Sequence, residues 1–273
     1  MPFVHASAGL LSWREVLLGL AGGGVLGAFG LLRALTVGKD AKKRRFFLNE
    51  DLEWAETVYS AVLLAALLMY FVVQAFKIPS GSMESTLMIG DHLFVNKFIY
   101  GIHIPLTDKT VLPLRKVKPG DIVVFRFPTD DPDVQHCGGP QFGKDFIKRV
   151  IAVGGDTVEV RDGVVIVDGK PREKEPYAQY VDSFRMSPPP LSPSPSEYQE
   201  LWQSGQLDGR MGDTMRDYFG PVKVPEGDFF MMGDNRDRSC DSRFWGPVAK
   251  KYVKGKAWVI YWPPSRMGVI GSH

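Results

Sequence analysis

Two serines joined by one glycine stand in the stretch Ile78-Pro79-Ser80-Gly81-Ser82-Met83, and a lysine, Lys148, stands inside the apolar stretch Phe146-Ile147-Lys148-Arg149-Val150-Ile151. A Ser-Gly-Ser backbone is flexible enough to hold a hydroxyl and adjacent N–H groups around a reacting carbonyl. Taken alone it also fits a polar exit from an apolar helix. Adjacent cations on a strand point to opposite faces, so either Lys148 or Arg149 faces whatever lies behind the sheet. An inward lysine is partly desolvated, which lowers its pKa from about 10.4 toward a range where the neutral amine serves as a base. An outward, solvated lysine is the ordinary alternative. A third stretch, Gly233-Asp234-Asn235-Arg236-Asp237-Arg238-Ser239-Cys240-Asp241-Ser242-Arg243-Phe244-Trp245-Gly246, alternates acids and arginines. It is either a solvated turn or a tight ion-pair network that supports a site.

The elements that must position these residues begin with two uncharged apolar runs, residues 16–32 and residues 57–76. Each is close to the roughly 20 residues that span a bilayer core as a helix. Gly19, Gly22, Gly23, Gly24 and Gly27 in the first run let two helix backbones approach closely in lipid, so a packed pair is expected. The first run lacks a basic n-region, and its nearby small residues precede it, which disfavours a cleaved signal peptide. Arg33, Lys39, Lys42, Lys43, Arg44 and Arg45 lie between the runs. Basic loops stay in the cytoplasm, so residues 33–56 are expected to face inward, with residues 1–15 and everything after Phe76 outside. Ser82, six residues beyond Phe76, then lies within about 20 Å of the outer membrane surface.

Beyond the serines, short apolar runs bounded by glycine and proline read as strands: residues 91–99, 121–127, 146–153, 157–160, 164–167, 229–232 and 257–262. Asp162-Gly163 between two alternating runs is the strongest hairpin signal. A mainly β fold follows, an antiparallel sheet or barrel formed by residues 77–170 and 223–273. Residues 171–222 read as an inserted smaller region whose proline-rich segment, residues 187–195, cannot form regular ladders. A short helix is expected over residues 196–203.

Composition narrows the class. A net charge of +2, from Lys+Arg 33 against Asp+Glu 31, offers no global field for nucleic acid. The 2 cysteines, Cys137 and Cys240, have no C-x-x-C spacing, so a metal cluster or redox dithiol has no support. In an oxidising compartment the two can pair, although sequence fixes no geometry for it.

Together the three stretches, in order and following the second apolar run, resemble bacterial signal peptidase I, the leader peptidase, in its two-helix Gram-negative form. The resemblance covers most of the chain. It implies a mainly antiparallel β catalytic core on the periplasmic side of the inner membrane, no cofactor, and exported preproteins as substrates, with membrane lipid and the secretion translocon nearby. It implies Ser82 as nucleophile and Lys148 as general base, with the Ser80 hydroxyl and the Ser82 N–H forming the oxyanion hole. Ser239 matches the hydroxyl that orients the lysine, and Gly233 lines the site. Asp234 with Arg149, and Asp241 with Arg243, match supporting pairs. The resemblance also implies cleavage after Ala-x-Ala-like sites.

Two departures stand out. Ser85 occupies a position where the family commonly has proline, and a looser turn is expected there. Arg238 and Cys240 flank Ser239 where the family usually has asparagine and a small residue. A penicillin-binding type of Ser/Lys hydrolase needs Ser-x-x-Lys, and three residues after Ser82 stands Ser85. Two other readings stay open: a specialised relative that processes a narrow set of exported proteins, and a non-enzymatic membrane-anchored envelope scaffold.

Overall fold

The computed structural model describes residues 73–103, 110–111, 113–172 and 175–271, with helical positions among residues 21–32 and 53–65. The chain divides into two compact units, one within residues 9–74 and one containing residues 75–273. In the first, a Cβ added at Gly24 would lie 3.4 Å from the Tyr59 hydroxyl, an ordinary packing distance. Most of the membrane helix expected at 16–32, and residues 66–72 of the one expected at 57–76, lie outside the described residues. No helix among the described residues is long and apolar enough to cross a membrane. One boundary is corrected: Val73–Phe76, expected as helix, belongs to strand β1 (Val73–Lys77), where Gln74 and Phe76 are buried in alternation with more exposed neighbours.

Alternating and continuous apolar runs set the rest. The strands are β2 (His92–Asn96), β3 (Ile102–His103), β4 (Thr110–Val111), β5 (Ile122–Arg126), β6 (Gln135–His136), β7 (Gly139–Pro140), β8 (Asp145–Val153), β9 (Thr157–Arg161) and β10 (Val164–Val167). They continue with β11 (Lys170–Pro171), β12 (Phe219–Lys223), β13 (Asp228–Met232), β14 (Val248–Ala249), β15 (Val253–Trp262) and β16 (Gly268–Val269). The main sheet runs β1-β2-β15-β5-β8-β13-β14, with β16 on β15, and its ladders from β2 to β14 are antiparallel. It is open. A barrel, the alternative expected from sequence, requires ladders all the way round; β14 contributes only two residues at its end of the order, and β1 closes no ladder with it.

Strand β5 shows why a continuous apolar run belongs here. Ile122 and Val124 pack on one face with Phe76, Met83, Leu87 and Leu93, while Val123 and Phe125 pack on the other with Val150, Met231 and Trp245. Both faces of the sheet are therefore buried at its centre, where β8 carries Lys148 and Arg149 opposite Val123 and Ile122.

A second antiparallel sheet has the order β11-β10-β9-β12. Its last strand, β12, overlaps the end of the region read as an insertion and pairs with β9. A helix over Pro195–Gln203, capped by the Ser194 hydroxyl, lays Tyr198 and Trp202 against this sheet. The Trp202 indole N–H donates to the Ser242 carbonyl at 2.7 Å, tying the second sheet's core to the loop after β13. Trp202 is fully buried. We expect Trp202→Ala to destabilise the fold by about 3–5 kcal/mol through lost packing and an orphaned carbonyl, read as a lowered denaturation midpoint of the full chain.

Candidate active site

The serine stretch is held at both ends before it reaches the site. The Ile78 N–H donates to the Asp91 carbonyl at 2.8 Å and the Gly90 N–H to the Ile78 carbonyl at 2.9 Å, which closes residues 79–90 into a loop. Inside it Gly81–Met83 forms a single 3₁₀ turn, and the Leu87 N–H donates to the Met83 carbonyl at 2.8 Å. Met83 and Leu87 are driven into the core between β1, β2 and β5. Arg266 clamps the far side: its Nε donates to Asp91 Oδ1 at 2.9 Å and its terminal nitrogen to the Thr86 carbonyl at 3.1 Å. Ser82 is thereby presented on a turn whose neighbours are pinned.

Lys148 reaches this turn from the middle of β8, and its Nζ lies 2.6 Å from Ser82 Oγ. The lysine side chain is almost wholly buried, and burial pulls its pKa from 10.5 to about 8. The carboxylates of Asp241 and Asp234 act in the opposite sense, and Arg243 reinforces the lowering. Above pH 8 the amine is mostly neutral and can accept the Ser82 proton; below it, the ammonium can only donate. Arg149, the next residue, turns to the other side of the strand and is equally buried. Sequence reading leaves one of the two cations outward; both are inside, because each meets its own partner.

The partner of Lys148 is the Ser82 hydroxyl, and that of Arg149 comes from the turn after β13. Asp234 receives Arg149 in a bidentate pair, Nε to Oδ1 at 2.7 Å and the terminal nitrogen to Oδ2 at 2.8 Å. Arg149 also donates to the Gly120 carbonyl at 3.0 Å and stacks on the Tyr177 ring at 3.7 Å. Asp241 receives Arg243 in the same manner at 2.8 and 2.9 Å, and accepts the Gly233 N–H at 3.1 Å. Burial works against the Asp241 carboxylate, yet Arg243, the Gly233 N–H and Lys148 together hold its pKa below the usual range. Each buried guanidinium thus has a carboxylate, as a buried charge requires.

Gly233 sits between the serine turn and Ser239. A Cβ there would run into the Ser239 hydroxyl and the Ser82 carbonyl, so the backbone approaches at a distance only glycine permits. The Asn235 N–H donates to the Ser82 carbonyl at 3.2 Å, which ties the two segments directly. Ser239 is buried, and its hydroxyl has no hydrogen-bond partner among the described residues. Ser80 precedes the turn in extended conformation and is exposed. Ser82, Lys148, Gly233, Ser239, Asp234, Arg149, Asp241 and Arg243 therefore form one contiguous cluster, with Ser80 at its solvent side.

Sequence reading missed three supports. Thr86 donates to Asp234 Oδ2 at 2.6 Å and accepts from Arg149 at 3.2 Å, bridging the serine loop to the buried ion pair. Its place just after Met83 in a turn was the available signal. Tyr177 gave none, since it lies in the region read as an insertion. Asp91 and Arg266 pair across 175 positions. The turn expected to be loose at Ser85 is instead held, because the Ser85 hydroxyl donates to the Tyr177 carbonyl at 2.5 Å. Its φ of 85° is one that proline, fixed near −65°, cannot adopt. Cys137 and Cys240 form a disulfide.

We expect Lys148 to titrate with a midpoint near pH 8, followed by nitrogen-15 NMR of labelled lysine in the full chain. Gly233→Ala, by prising Ser239 and Ser82 apart and admitting water, should move that midpoint up toward 10.5. An unmoved midpoint would show that the close approach at Gly233 does not shield the amine.

Comparison with known proteins identifies the family of the chain. The family model described as "Signal peptidase, peptidase S26" matches residues 51–262. Signal peptidase I of Pseudomonas fluorescens is 33% identical over 240 residues, covering 81% of this chain and 77% of its own length. Signal peptidase I of Leptolyngbya laminosa is 35% identical over 220 residues, covering 81% of this chain and 84% of its own. That of Haemophilus influenzae is 32% identical over 260 residues, covering 83% and 74%. A family match that spans the serine loop, the lysine strand and the Gly-Asp turn alike, joined to relatives that align over most of their own length, makes this chain a member of the S26 signal peptidases.

Proposed function

We propose that this peptidase removes signal peptides from exported preproteins with a Ser82/Lys148 dyad. The observation that carries the reading is the 2.6 Å approach of a buried lysine amine to the Ser82 hydroxyl. Neutral Lys148 takes the Ser82 proton as Oγ attacks the scissile carbonyl, and the resulting oxyanion is met by the Ser82 N–H and the Ser80 hydroxyl. Collapse expels the amine of the mature protein, which receives its proton from Lys148 Nζ and leaves an acyl-enzyme on Ser82. Lys148, neutral again, activates the water that releases the signal peptide and frees Ser82. Ser239 and Gly233 keep the amine aimed, and the two Asp–Arg pairs fix the loop around it. Cleavage follows small residues, in an Ala-x-Ala-like pattern, with the substrate lying as an added strand beside the site.

Anchoring in the inner membrane, with the catalytic body on the periplasmic side, is part of the same proposal. The apolar runs at 16–32 and at 57–76, whose last four residues belong to β1, and the basic residues between them support it. The Cys137–Cys240 disulfide suits an oxidising compartment.

With full-length protein in detergent and a preprotein bearing an Ala-x-Ala site, Ser82→Ala and Lys148→Ala should each lower turnover by at least about 1,000-fold while the thermal transition stays in place. Appreciable turnover in either variant would remove the dyad. For the wild type, kcat/KM should climb through a limb near pH 8 and fall away below it, since acid protonates the base.

A further inference from the structure

Residues 238–240 carry a buried hydroxyl, that of Ser239, that makes no hydrogen bond among the described residues. On one side Asp237 is anchored, its carboxylate accepting the Val181 and Asp182 N–H groups at 2.7 and 2.9 Å. On the other Asp241 is locked by Arg243 and the Gly233 N–H. Between them, no backbone hydrogen bond of Arg238, Ser239 or Cys240 is found among the described residues, and Arg238 is exposed, 3.8 Å from Asp182. The covalent bond from Cys240 to Cys137 holds this piece, together with the packing of Cys240 on the core.

Cys137 is a rigid anchor. It and Gly138 have φ of 56° and 80°, the left-handed pair that closes a two-residue hairpin, here between β6 and β7. The Gln141 side-chain amide donates to the His136 and Gly139 carbonyls at 2.7 and 3.0 Å and braces that hairpin from inside. The His136 ring packs on Phe127, and both cysteines pack against the core behind β5 and β8.

We propose that the Cys137–Cys240 disulfide is a positioning device for the dyad. It presses Ser239 onto Gly233, and through Gly233 onto the Ser82 carbonyl, so that the pocket around the Lys148 amine stays dry. The proposal rests on the Ser82/Lys148 reading above. Reduction by dithiothreitol supplies two electrons and two protons: the reductant closes to its cyclic disulfide, the Cys137–Cys240 bond breaks, and two thiols form. The hairpin and the Asp237 and Asp241 anchors remain, while Ser239 gains freedom and water reaches the lysine.

The test compares oxidised full-length protein, the same protein reduced by dithiothreitol, and Cys137→Ala/Cys240→Ala, on one preprotein with no cysteine. Oxidised wild type must cleave; if it does not, the dyad reading fails whatever reduction does. If it does, the reduced protein and the double variant should lose about 10- to 100-fold in kcat with KM little changed, the scale of a misplacement of about 1 Å. Their pH limb should also move above that of the oxidised form, and the double variant should be indifferent to dithiothreitol. Unchanged kcat and limb in a reduced, folded protein would overturn the proposal. So would loss of the near-UV circular dichroism signal on reduction, because the bond would then be a general staple and not a positioning device.

Discussion

The chemistry proposed for this site depends on keeping one lysine amine neutral next to one serine hydroxyl. The displacement of the Lys148 pKa from 10.5 to about 8 amounts to roughly 3 kcal/mol against the ammonium form. That preference is created by burial, and it is fragile, because Asp234 and Asp241 stand close enough to attract a proton back onto the amine. The structure resolves the conflict by giving each carboxylate its own bidentate arginine, Arg149 for Asp234 and Arg243 for Asp241. The charges that shape the loop are thereby spent on each other, and the lysine is left with desolvation as its dominant influence.

The same pairs explain why three distant segments meet. Arg149 leaves β8 on the side opposite Lys148, so its pairing with Asp234 draws the turn after β13 across the strand end. Thr86 joins that pair to the serine loop, and the Asn235 N–H joins the turn to the Ser82 carbonyl. Gly233 then lets the two backbones touch. A buried pair of this kind contributes little net stability, but removing either partner strands a buried charge, which makes it an effective device for fixing geometry.

Much of this was legible in the chain. Period-2 patterning and Gly-Asp punctuation located β5, β8, β9, β10 and β13 to within a residue or two, because strands buried on one or both faces must carry apolar residues there. Strand β1 was hidden by the apolar run before it, since hydropathy does not distinguish the end of an apolar helix from a half-buried strand such as Val73–Lys77. Strand β12 was hidden by Pro221 within it and by its distance from β9. The site residues were legible as a family pattern and only weakly as physics: nothing local told that Lys148 and Arg149 would both be buried. Tyr177, Arg266 and the Cys137–Cys240 bond depend on contacts between positions far apart in the chain, which no local pattern encodes.

The central claim is that a neutral Lys148 activates Ser82. Its most direct test is the pH dependence of Ser82 acylation by a peptide-like serine-directed inhibitor, with the adduct located by mass spectrometry of the full-length protein. The account predicts a single adduct on Ser82, formed at a rate that rises through a midpoint near pH 8, and no adduct in Lys148→Ala. An adduct on another residue, or a Ser82 adduct whose rate ignores both pH and Lys148, would contradict it.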